Sequence, residues 1–210
     1  MRIVFATGNK DKLKEIREIL DTLNIEIISM KEAGVFEDVE ENGETFAENS
    51  MIKASAIAQI IKDKFPKEAE ETIVLADDSG LEIDYLNGEP GVYSARYMGK
   101  ETSYTEKNNN LIERLNGVPD SERTARFVCA ISAVLPDGKK LSTVGTMEGI
   151  IGYEIAGANG FGYDPIFYLP EYKKTSAEIS ADEKNAISHR GKALREMAKL
   201  LKEELVRETD

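Results

Sequence analysis

Two adjacent carboxylates, Asp77 and Asp78, follow the apolar run TIVLA at residues 72–76, which is typical of a buried strand that ends at Asp77. Open α/β sheets bind their ligands at the carboxyl ends of such strands. Two neighbouring carboxylates repel each other unless a proton or a cation intervenes, so the pair is a candidate Mg²⁺ site. Mg²⁺ commonly takes one or two carboxylates together with phosphate and water. The structural alternative is a simple Asp-Asp-Ser-Gly turn.

The loop TGNKDK at residues 7–12 lies between a predicted buried strand and a predicted helix. Backbone N–H groups at the start of a helix favour an anion, both by hydrogen bonding and through the helix dipole. Lys10 and Lys12 are unfavourable in that first turn, and a bound anion would remove the penalty. The alternative is a solvated surface on which Asp11 and Glu15 offset the lysines. The loop fits neither a dinucleotide fingerprint nor a P-loop.

An acidic segment at residues 37–44 precedes a helix whose start is marked by Thr45 and Glu48, the spacing of a capping box. Most of these acids are explained as solvated groups or as partners of the helix dipole. Asn49 and Lys53, four residues apart, share one helix face. An amide and a cation are therefore presented together beside an acidic loop.

Two further motifs lie nearer the carboxyl end. In FGYDP at residues 161–165, a glycine between two aromatic residues lets the backbone approach a flat ligand, and an exposed ring can stack on a base. Buried strand aromatics are the alternative. His189 and Arg190 begin the last predicted helix with Lys192 beside them and no acid before Glu196. This helix start is cationic where the dipole prefers anions, which favours a ligand contact.

The pattern of apolar residues predicts parallel βαβ units followed by antiparallel hairpins, and hence a mixed sheet with helices packed on it. We expect an elongated α/β fold with a cleft, as one domain over residues 1–210. The sequence contains a turn at Asn87-Gly88 that is typical of a hairpin. Strands are predicted at residues 2–6, 25–29, 72–76, 124–135 and 140–151, and helices through 13–23, 45–64, 103–115, a short segment capped by Ser180 and Glu183, and 189–207.

Composition excludes several classes of protein. The net charge of −12 opposes broad contact with a nucleic acid, because such contact needs a basic face. The single cysteine, Cys129, excludes an internal disulfide and a cysteine-based zinc site, and the lone His189 excludes a pair of histidine ligands. The sequence contains no apolar run of membrane-spanning length and no signal-like amino terminus, so we expect a cytoplasmic protein without membrane contact.

Taken in order, these segments resemble the inosine/xanthosine triphosphate pyrophosphatase family, the Ham1-like pyrophosphatases of non-canonical purine nucleoside triphosphates. Each motif alone is weak, but the ordered set is highly specific and covers nearly the whole chain. The resemblance implies Mg²⁺-dependent hydrolysis of ITP, dITP and XTP to the monophosphate and pyrophosphate, by a homodimer with a long mixed sheet and two lobes. The motifs are TGNKDK, GETFAENSMIKA, ADDSGL, PGVYSARY, GFGYDPIF and EKNAISHRG.

The resemblance also implies roles by position. Asp78 would be both the catalytic base and, with Glu41, a metal ligand. Ala158-Asn159 depart mildly from the usual glycine-rich pattern, which affects the detail of that loop only. Phosphate contacts would come from Thr7, Gly8, Asn9, Lys10, Asp11, Lys12, Lys53 and Ser79, nucleoside contacts from Phe161, Gly162, Tyr163 and Asp164, and base recognition from Lys184, His189 and Arg190.

The resulting hypothesis is that Mg²⁺ held by Glu41 and Asp78 bridges triphosphate oxygens while Lys12 and Lys53 neutralise the leaving pyrophosphate. Asp78 would orient or deprotonate a water that attacks the α-phosphorus. Whether Asp77 also ligates the metal stays open at this point.

Selection of the base would use the 6-oxo group of hypoxanthine or xanthine, which accepts a hydrogen bond where adenine donates one. Donors from His189 or Arg190 would pair with it and be left unpaired by adenine. Two other functions stay open: a pyrophosphatase for other modified nucleotides, including pyrimidines, and a non-catalytic nucleotide-sensing module.

Overall fold

The computed structural model describes residues 1–207, apart from the side chains of Asp11 and Arg207. Strands and helices alternate in the first half of the chain, and antiparallel strands follow in the second. The strands are β1 Arg2–Phe5, β2 Glu26–Ser29, β3 Thr72–Ile83, β4 Thr124–Val134, β5 Lys140–Ile151, β6 Phe167–Leu169 and β7 Lys174–Thr175. The helices are α1 Lys10–Leu20, α2 Phe46–Lys64, α3 Pro66–Ala69, α4 Tyr104–Arg114, α5 Ala181–Ile187 and α6 His189–Arg207.

The strands form one sheet in the order β2-β1-β3-β4-β5-β6-β7. Strand β1 runs parallel to both β2 and β3, whereas β6 is antiparallel to β5 and β7. The predicted mixed α/β sheet is therefore confirmed. Phe5 pairs with Leu75, and this parallel register brings the end of β1 level with the two aspartates of β3.

Strand β3 differs from the prediction, since it continues through both aspartates to Ile83. Both the predicted end at Asp77 and the alternative of a turn at Asp-Asp-Ser-Gly are wrong. The extension buries Leu81 and Ile83, whose spacing of two places them on one face of the strand. Asp77 interrupts the apolar run without ending the strand, because its buried carboxylate has cationic partners.

The predicted hairpin forms its turn, but its strands pair over a shorter length than the sequence suggests. Asn87 and Gly88 adopt left-handed conformations, with φ of 53° and 86°, as a hairpin turn requires. Pairing beyond it, however, is limited to a single bridge from Glu82 to Pro90, and a 3₁₀ helix, Gly91–Arg96, follows. Proline lacks the N–H that would continue the ladder.

The structure confirms the two helix starts that were predicted from capping boxes. Capping boxes form at Thr45 and Glu48 before α2 and at Ser180 and Glu183 before α5, as predicted. A third capping box, at Ser103, starts α4. None of the helices within residues 1–207 has the length and apolar character needed to span a membrane.

The chain divides into two compact units. Among the described residues, unit one comprises Met1–Asp78, Cys129–Gly145 and residues 190–207, and unit two comprises Ser79–Val128 and Thr146–His189. The single domain and the two lobes with a cleft stay predictions.

Unit one has an apolar cluster on each face of its strands. Ile3 and Phe5 of β1 pack with residues of α1 and α6, whereas Val4 packs with residues of α2, as the two-residue period of a strand requires. Both clusters contain residues with no exposed surface, among them Ile16 and Ile57. This packing fixes the end of β1 and the part of β3 that contains Asp77 and Asp78.

Candidate active site

Asp77 lies in β3 with 1% of its surface exposed. Its Oδ2 is 2.9 Å from Lys12 Nζ and 3.4 Å from Arg190 Nη2. Burial alone would raise the pKa of Asp77, but Lys12, Arg190 and Lys53 together hold it well below its usual range. Asp77 is thus a fixed negative charge at neutral pH, and it holds Lys12 in place.

Arg190, the second residue of α6, is equally buried and contacts two carboxylates. Besides Asp77, its Nη1 lies 2.5 Å from Glu15 Oε2 on α1. Burial lowers the pKa of Arg190, but the charges of Asp77 and Glu15 more than offset this and raise it. Lys12, Glu15, Asp77 and Arg190 therefore form a buried ion-pair network that connects α1, β3 and α6.

Asp78 has a different environment from its neighbour. It is only partly buried, and its Oδ2 accepts a hydrogen bond of 3.0 Å from Asn49 Nδ2. Burial raises the pKa of Asp78 to about 6; the Asn49 bond opposes this change, and the charge of Glu41 adds to it. Asp78 is accordingly a carboxylate that gains from a nearby cation and can take up a proton.

The amide and the cation predicted on one face of α2 both reach this region. Lys53 Nζ lies 2.6 Å from Glu41 Oε1 and donates to the Asp77 main-chain carbonyl at 3.3 Å. Asn49 Oδ1 accepts from the Gly43 N–H at 2.8 Å and so fixes the acidic loop against the helix. A side chain at Gly43 would have its Cβ 2.9 Å from Asn49 Oδ1, so this approach requires glycine.

The first loop begins level with Asp77. The Asn9 N–H donates to Thr7 Oγ1 at 3.1 Å, and Asn9 Oδ1 accepts from the Lys12 N–H at 3.2 Å, which caps the start of α1. Gly8 and Lys10 are exposed, and the side chain of Asp11 lies outside the described residues. A cavity of about 150 Å³ adjoins the loop, and its lining includes Thr7, Gly8, Glu41 and Lys53.

Glu41 and Asp78 are the residues that would offer oxygen ligands to a divalent cation. In the part of the chain that the structure describes, no group of three or more His, Cys, Asp or Glu residues is placed to hold a metal. Two carboxylates are nevertheless the usual protein share of an Mg²⁺ site whose other ligands are phosphate and water. The Lys53 ammonium against Glu41 and the raised pKa of Asp78 both indicate a preference for positive charge, so the donor set fits Mg²⁺. We call these residues, with Lys12 and Asp77, the strand-end site.

The loop at residues 160–164 in unit two surrounds a buried carboxylate. Asp164 Oδ2 accepts from the Phe161 N–H at 2.8 Å and from Lys184 Nζ at 2.7 Å, and Oδ1 accepts from Ser176 Oγ at 2.7 Å. Gly160 has a φ of 71°, and a Cβ there would collide with the Asp164 carboxylate. Only glycine allows this arrangement, which we call the glycine-aromatic loop.

The aromatic residues of that loop have different roles. Tyr163 is buried, and its hydroxyl donates to the Ser94 carbonyl at 2.7 Å, so it is a core aromatic residue, although it lies in a turn and not in a strand as the alternative held. Phe161 is only partly buried, and the Lys184 ammonium lies 5.0 Å from its ring centroid.

His189, the first residue of α6, lies in unit two with 6% of its surface exposed. Its ring stacks on Phe127 with centroids 4.9 Å apart and an interplanar angle of 15°. This contact fixes the plane of the imidazole.

The predicted site residues thus fall into two groups. The strand-end site contains four of the residues predicted for phosphate and metal, namely Lys12, Glu41, Lys53 and Asp78, and Arg190 contacts it through the ion pair with Asp77. Ser79 follows on β3 and is partly buried. Sequence reasoning missed Glu15 as the partner of Arg190 and Ser176 as the partner of Asp164, because neither lies in a motif.

The fold and these groups define an α/β protein in which carboxylates and lysines lie together beside the end of β1 and the middle of β3. The Ham1 family model matches residues 3–200. The dITP/XTP pyrophosphatase of Clostridium perfringens is 50% identical over 201 residues, which are 96% of this chain and 97% of the relative. That of Desulforamulus reducens is 46% identical, with 96% of each chain covered.

Solved structures agree with this match. A HAM1 protein from Coxiella burnetii superposes with a TM-score of 0.84 at 43% identity, over 97% of this chain and 99% of that one. The Ham1 protein of Staphylococcus aureus gives a TM-score of 0.84 at 39% identity, over 97% and 100% of the two chains. The chain belongs to the Ham1 family.

Proposed function

We propose that this chain hydrolyses non-canonical purine nucleoside triphosphates, such as dITP, XTP and ITP, to the monophosphate and pyrophosphate. Relatives that match 96% of the chain are named dITP/XTP pyrophosphatases. The observation that carries the proposal is the contrast between adjacent carboxylates. Asp77 is held ionised and fixes Lys12, whereas Asp78 has its pKa raised to about 6 beside Lys53 and Glu41.

In the reaction, Asp78 accepts a proton from a water whose oxygen forms a bond to the α-phosphorus. The bond from the α-phosphorus to the bridging oxygen breaks, and pyrophosphate leaves with the electron pair. Lys12 and Lys53 offset the negative charge that develops on the leaving group. Both lysines are held by carboxylates, so their charges are in place before the substrate arrives.

Glu41 and Asp78 are the residues that would hold Mg²⁺. The bound cation would supply neutralisation of phosphate charge and orientation of the phosphate oxygens. Asp77 is not needed as a ligand, because its carboxylate is buried and pairs with two cations, Lys12 and Arg190, whereas the more exposed Glu41 contacts Lys53 through one oxygen.

Base selection belongs to the residues of unit two. Phe161 supplies a partly exposed ring for stacking, and His189 and Lys184 supply donors for a 6-oxo group. Adenine would leave such a buried donor unpaired, at a cost of about 1 to 3 kcal/mol. Because Arg190 contacts Asp77 and Glu15, we assign to Arg190 a role in positioning the strand-end site. We therefore assign base selection to His189 in the first place.

The deciding experiment is product identification. The protein is incubated with Mg²⁺ and, separately, dITP, XTP, dATP, dGTP and a modified pyrimidine triphosphate. We expect pyrophosphate and monophosphate from dITP and XTP at rates well above those of the canonical nucleotides. Preference for the pyrimidine would establish the alternative pyrophosphatase. Tight binding without hydrolysis would establish a sensing module.

Kinetics of the selectivity variants complete this test. His189→Ala should reduce the preference for ITP over ATP in kcat/KM by about tenfold, the value of one buried donor. An unchanged ratio would remove His189 from base selection.

We also propose a cytoplasmic homodimer that acts on the nucleotide pool and contacts neither nucleic acid nor membrane. The family resemblance supports the dimer, and the net charge of −12 opposes nucleic-acid binding. Sedimentation of the full chain tests the dimer, and a monomer at micromolar concentration would contradict it.

A further inference from the structure

Helix α4 places two polar side chains inside unit two. Lys107 and Asn108 have 1% and 2% of their surfaces exposed, and they lie beside the apolar Leu111. Polar groups lose free energy on burial unless they form hydrogen bonds. Each side chain bonds a main-chain carbonyl outside the helix: Lys107 Nζ donates to the Ala95 carbonyl at 2.9 Å, and Asn108 Nδ2 to that of Gly162 at 3.2 Å.

The carbonyl that Asn108 holds belongs to the middle of the glycine-aromatic loop. Gly162 has a φ of 70°, and glycine, lacking a Cβ, crosses readily between backbone conformations. The Phe161 side of the loop is fixed through Asp164, and Tyr163 is fixed by its hydroxyl. The Asn108 amide is the contact that fixes the peptide joining Gly162 to Tyr163.

Stability of the fold alone does not explain why residue 108 is asparagine. Asn108 Oδ1 is buried and has no hydrogen-bond partner among the described residues. A buried acceptor left unpaired costs free energy, and leucine, which has the same branching but no polar atoms, would avoid that cost. The N–H bond to Gly162 therefore accounts for asparagine at this position better than packing does.

Helix α4 supports the neighbouring ring as well. The edge of Tyr104 packs against Tyr163, with centroids 5.3 Å apart, and the Lys107 ammonium lies 4.8 Å from the centroid of Tyr104. One turn of helix thus contacts Gly162 through an amide and Tyr163 through a ring.

From these contacts we propose that Asn108 is a positioning residue for nucleoside binding, which acts by holding the Gly162 peptide of the glycine-aromatic loop, next to Phe161. The inference rests on the proposed function of the loop. It assigns a role in nucleoside binding to a helix that carries none of the site residues predicted from the sequence.

The test compares Asn108→Leu and Asn108→Asp with Asn109→Asp. Asn109 is the next residue of the same helix and is exposed, so it controls for the substitution itself. Asn108→Leu removes the donor without adding charge, and Asn108→Asp places an acceptor against the Gly162 carbonyl. We expect the KM for dITP to rise about tenfold in Asn108→Leu, the value of one hydrogen bond, with kcat within twofold.

Inorganic tripolyphosphate, which has no base, separates positioning from general damage. Its inhibition constant against dITP hydrolysis should stay unchanged in Asn108→Leu. A KM for dITP equal to that of Asn109→Asp, or a parallel rise in the tripolyphosphate constant, would overturn the proposal. If wild-type protein hydrolyses no triphosphate, the proposed function fails. Amide hydrogen exchange at residues 161–164 then tests whether Asn108 holds the Gly162 peptide. Faster exchange in Asn108→Leu than in Asn109→Asp supports this role, and equal rates overturn it.

Discussion

The strand-end site and the glycine-aromatic loop are both built around a buried aspartate, but they are held in different ways. Asp77 is fixed by Lys12 and Arg190, which lie 65 and 113 residues away along the chain. Asp164 is fixed by groups within twenty residues, and its carboxylate fits only because residue 160 is glycine. In the strand-end site, the ion pair of Lys12 with Asp77 can rearrange when a charged substrate binds. In the glycine-aromatic loop, the backbone conformation at Gly160 holds the surface in one arrangement.

The largest expected effect is at Asp78, the partly buried carboxylate of the strand-end site. Asp78→Asn should keep the fold and lower kcat for dITP by roughly 100- to 10,000-fold, the range for removal of a general base. Pyrophosphate release measures it. Asp63→Asn, an exposed change on α2, is the control and should leave kcat unaltered. Near-normal turnover in Asp78→Asn would remove Asp78 from the mechanism.

Loss of the Asp77 charge should lower the free energy of unfolding more than loss of the Asp78 charge does. Asp77→Asn removes the charge of one of the two carboxylates that pair with the buried Arg190, and loss of one partner of a buried ion pair costs about 3 kcal/mol in the free energy of unfolding. Denaturant titration measures this loss. Glu196→Gln breaks an exposed ion pair with Lys199 and should cost well under about 1 kcal/mol. Equal losses in the two variants would mean that the buried network is not what holds this site.

The loop offers a matched pair of glycines. Gly160 and Gly88 both have positive φ, so alanine strains the backbone by about 1 kcal/mol at either position. A Cβ at Gly88 meets open space, whereas one at Gly160 collides with the Asp164 carboxylate. We expect Gly160→Ala to cost about 1 to 3 kcal/mol more than Gly88→Ala in the free energy of unfolding. Equal costs would show that Asp164 can move away freely.

The smallest effect is a pH dependence at Asp78. Its pKa is about 6 in the folded chain against an ordinary 3.8, so between these values the folded chain holds a proton that the unfolded chain releases. Its contribution to stability is therefore lost as pH rises through 6. Without divalent cations, the Tm of Asp78→Asn should gain about 2 to 4 °C on wild type between pH 5 and pH 7. A constant difference would contradict the raised pKa.

Much of the fold could be predicted because its signals are local. Capping boxes at Thr45 and Ser180 and the apolar periods of β4, β5 and α6 are each contained in a few neighbouring residues. The length of β3 could not be predicted this way. Two consecutive aspartates resemble a strand end unless the cations that neutralise Asp77 are known.

The candidate site, too, could be predicted only in part from the sequence. The motifs identified which residues carry chemistry, and the shared helix face of Asn49 and Lys53 placed both beside the aspartates. The partners were not predictable, since Glu15 pairs with Arg190 across 175 residues. Asn108 lies among three consecutive asparagines, and only burial distinguishes it from Asn109.

The central claim is that water attacks the α-phosphorus and releases pyrophosphate. Hydrolysis of dITP by the wild-type chain in ¹⁸O-labelled water with Mg²⁺, followed by mass spectrometry of both products, tests it most directly. The account predicts one ¹⁸O atom in the monophosphate and none in the pyrophosphate. Label in pyrophosphate, or release of inorganic phosphate with a diphosphate, would contradict it.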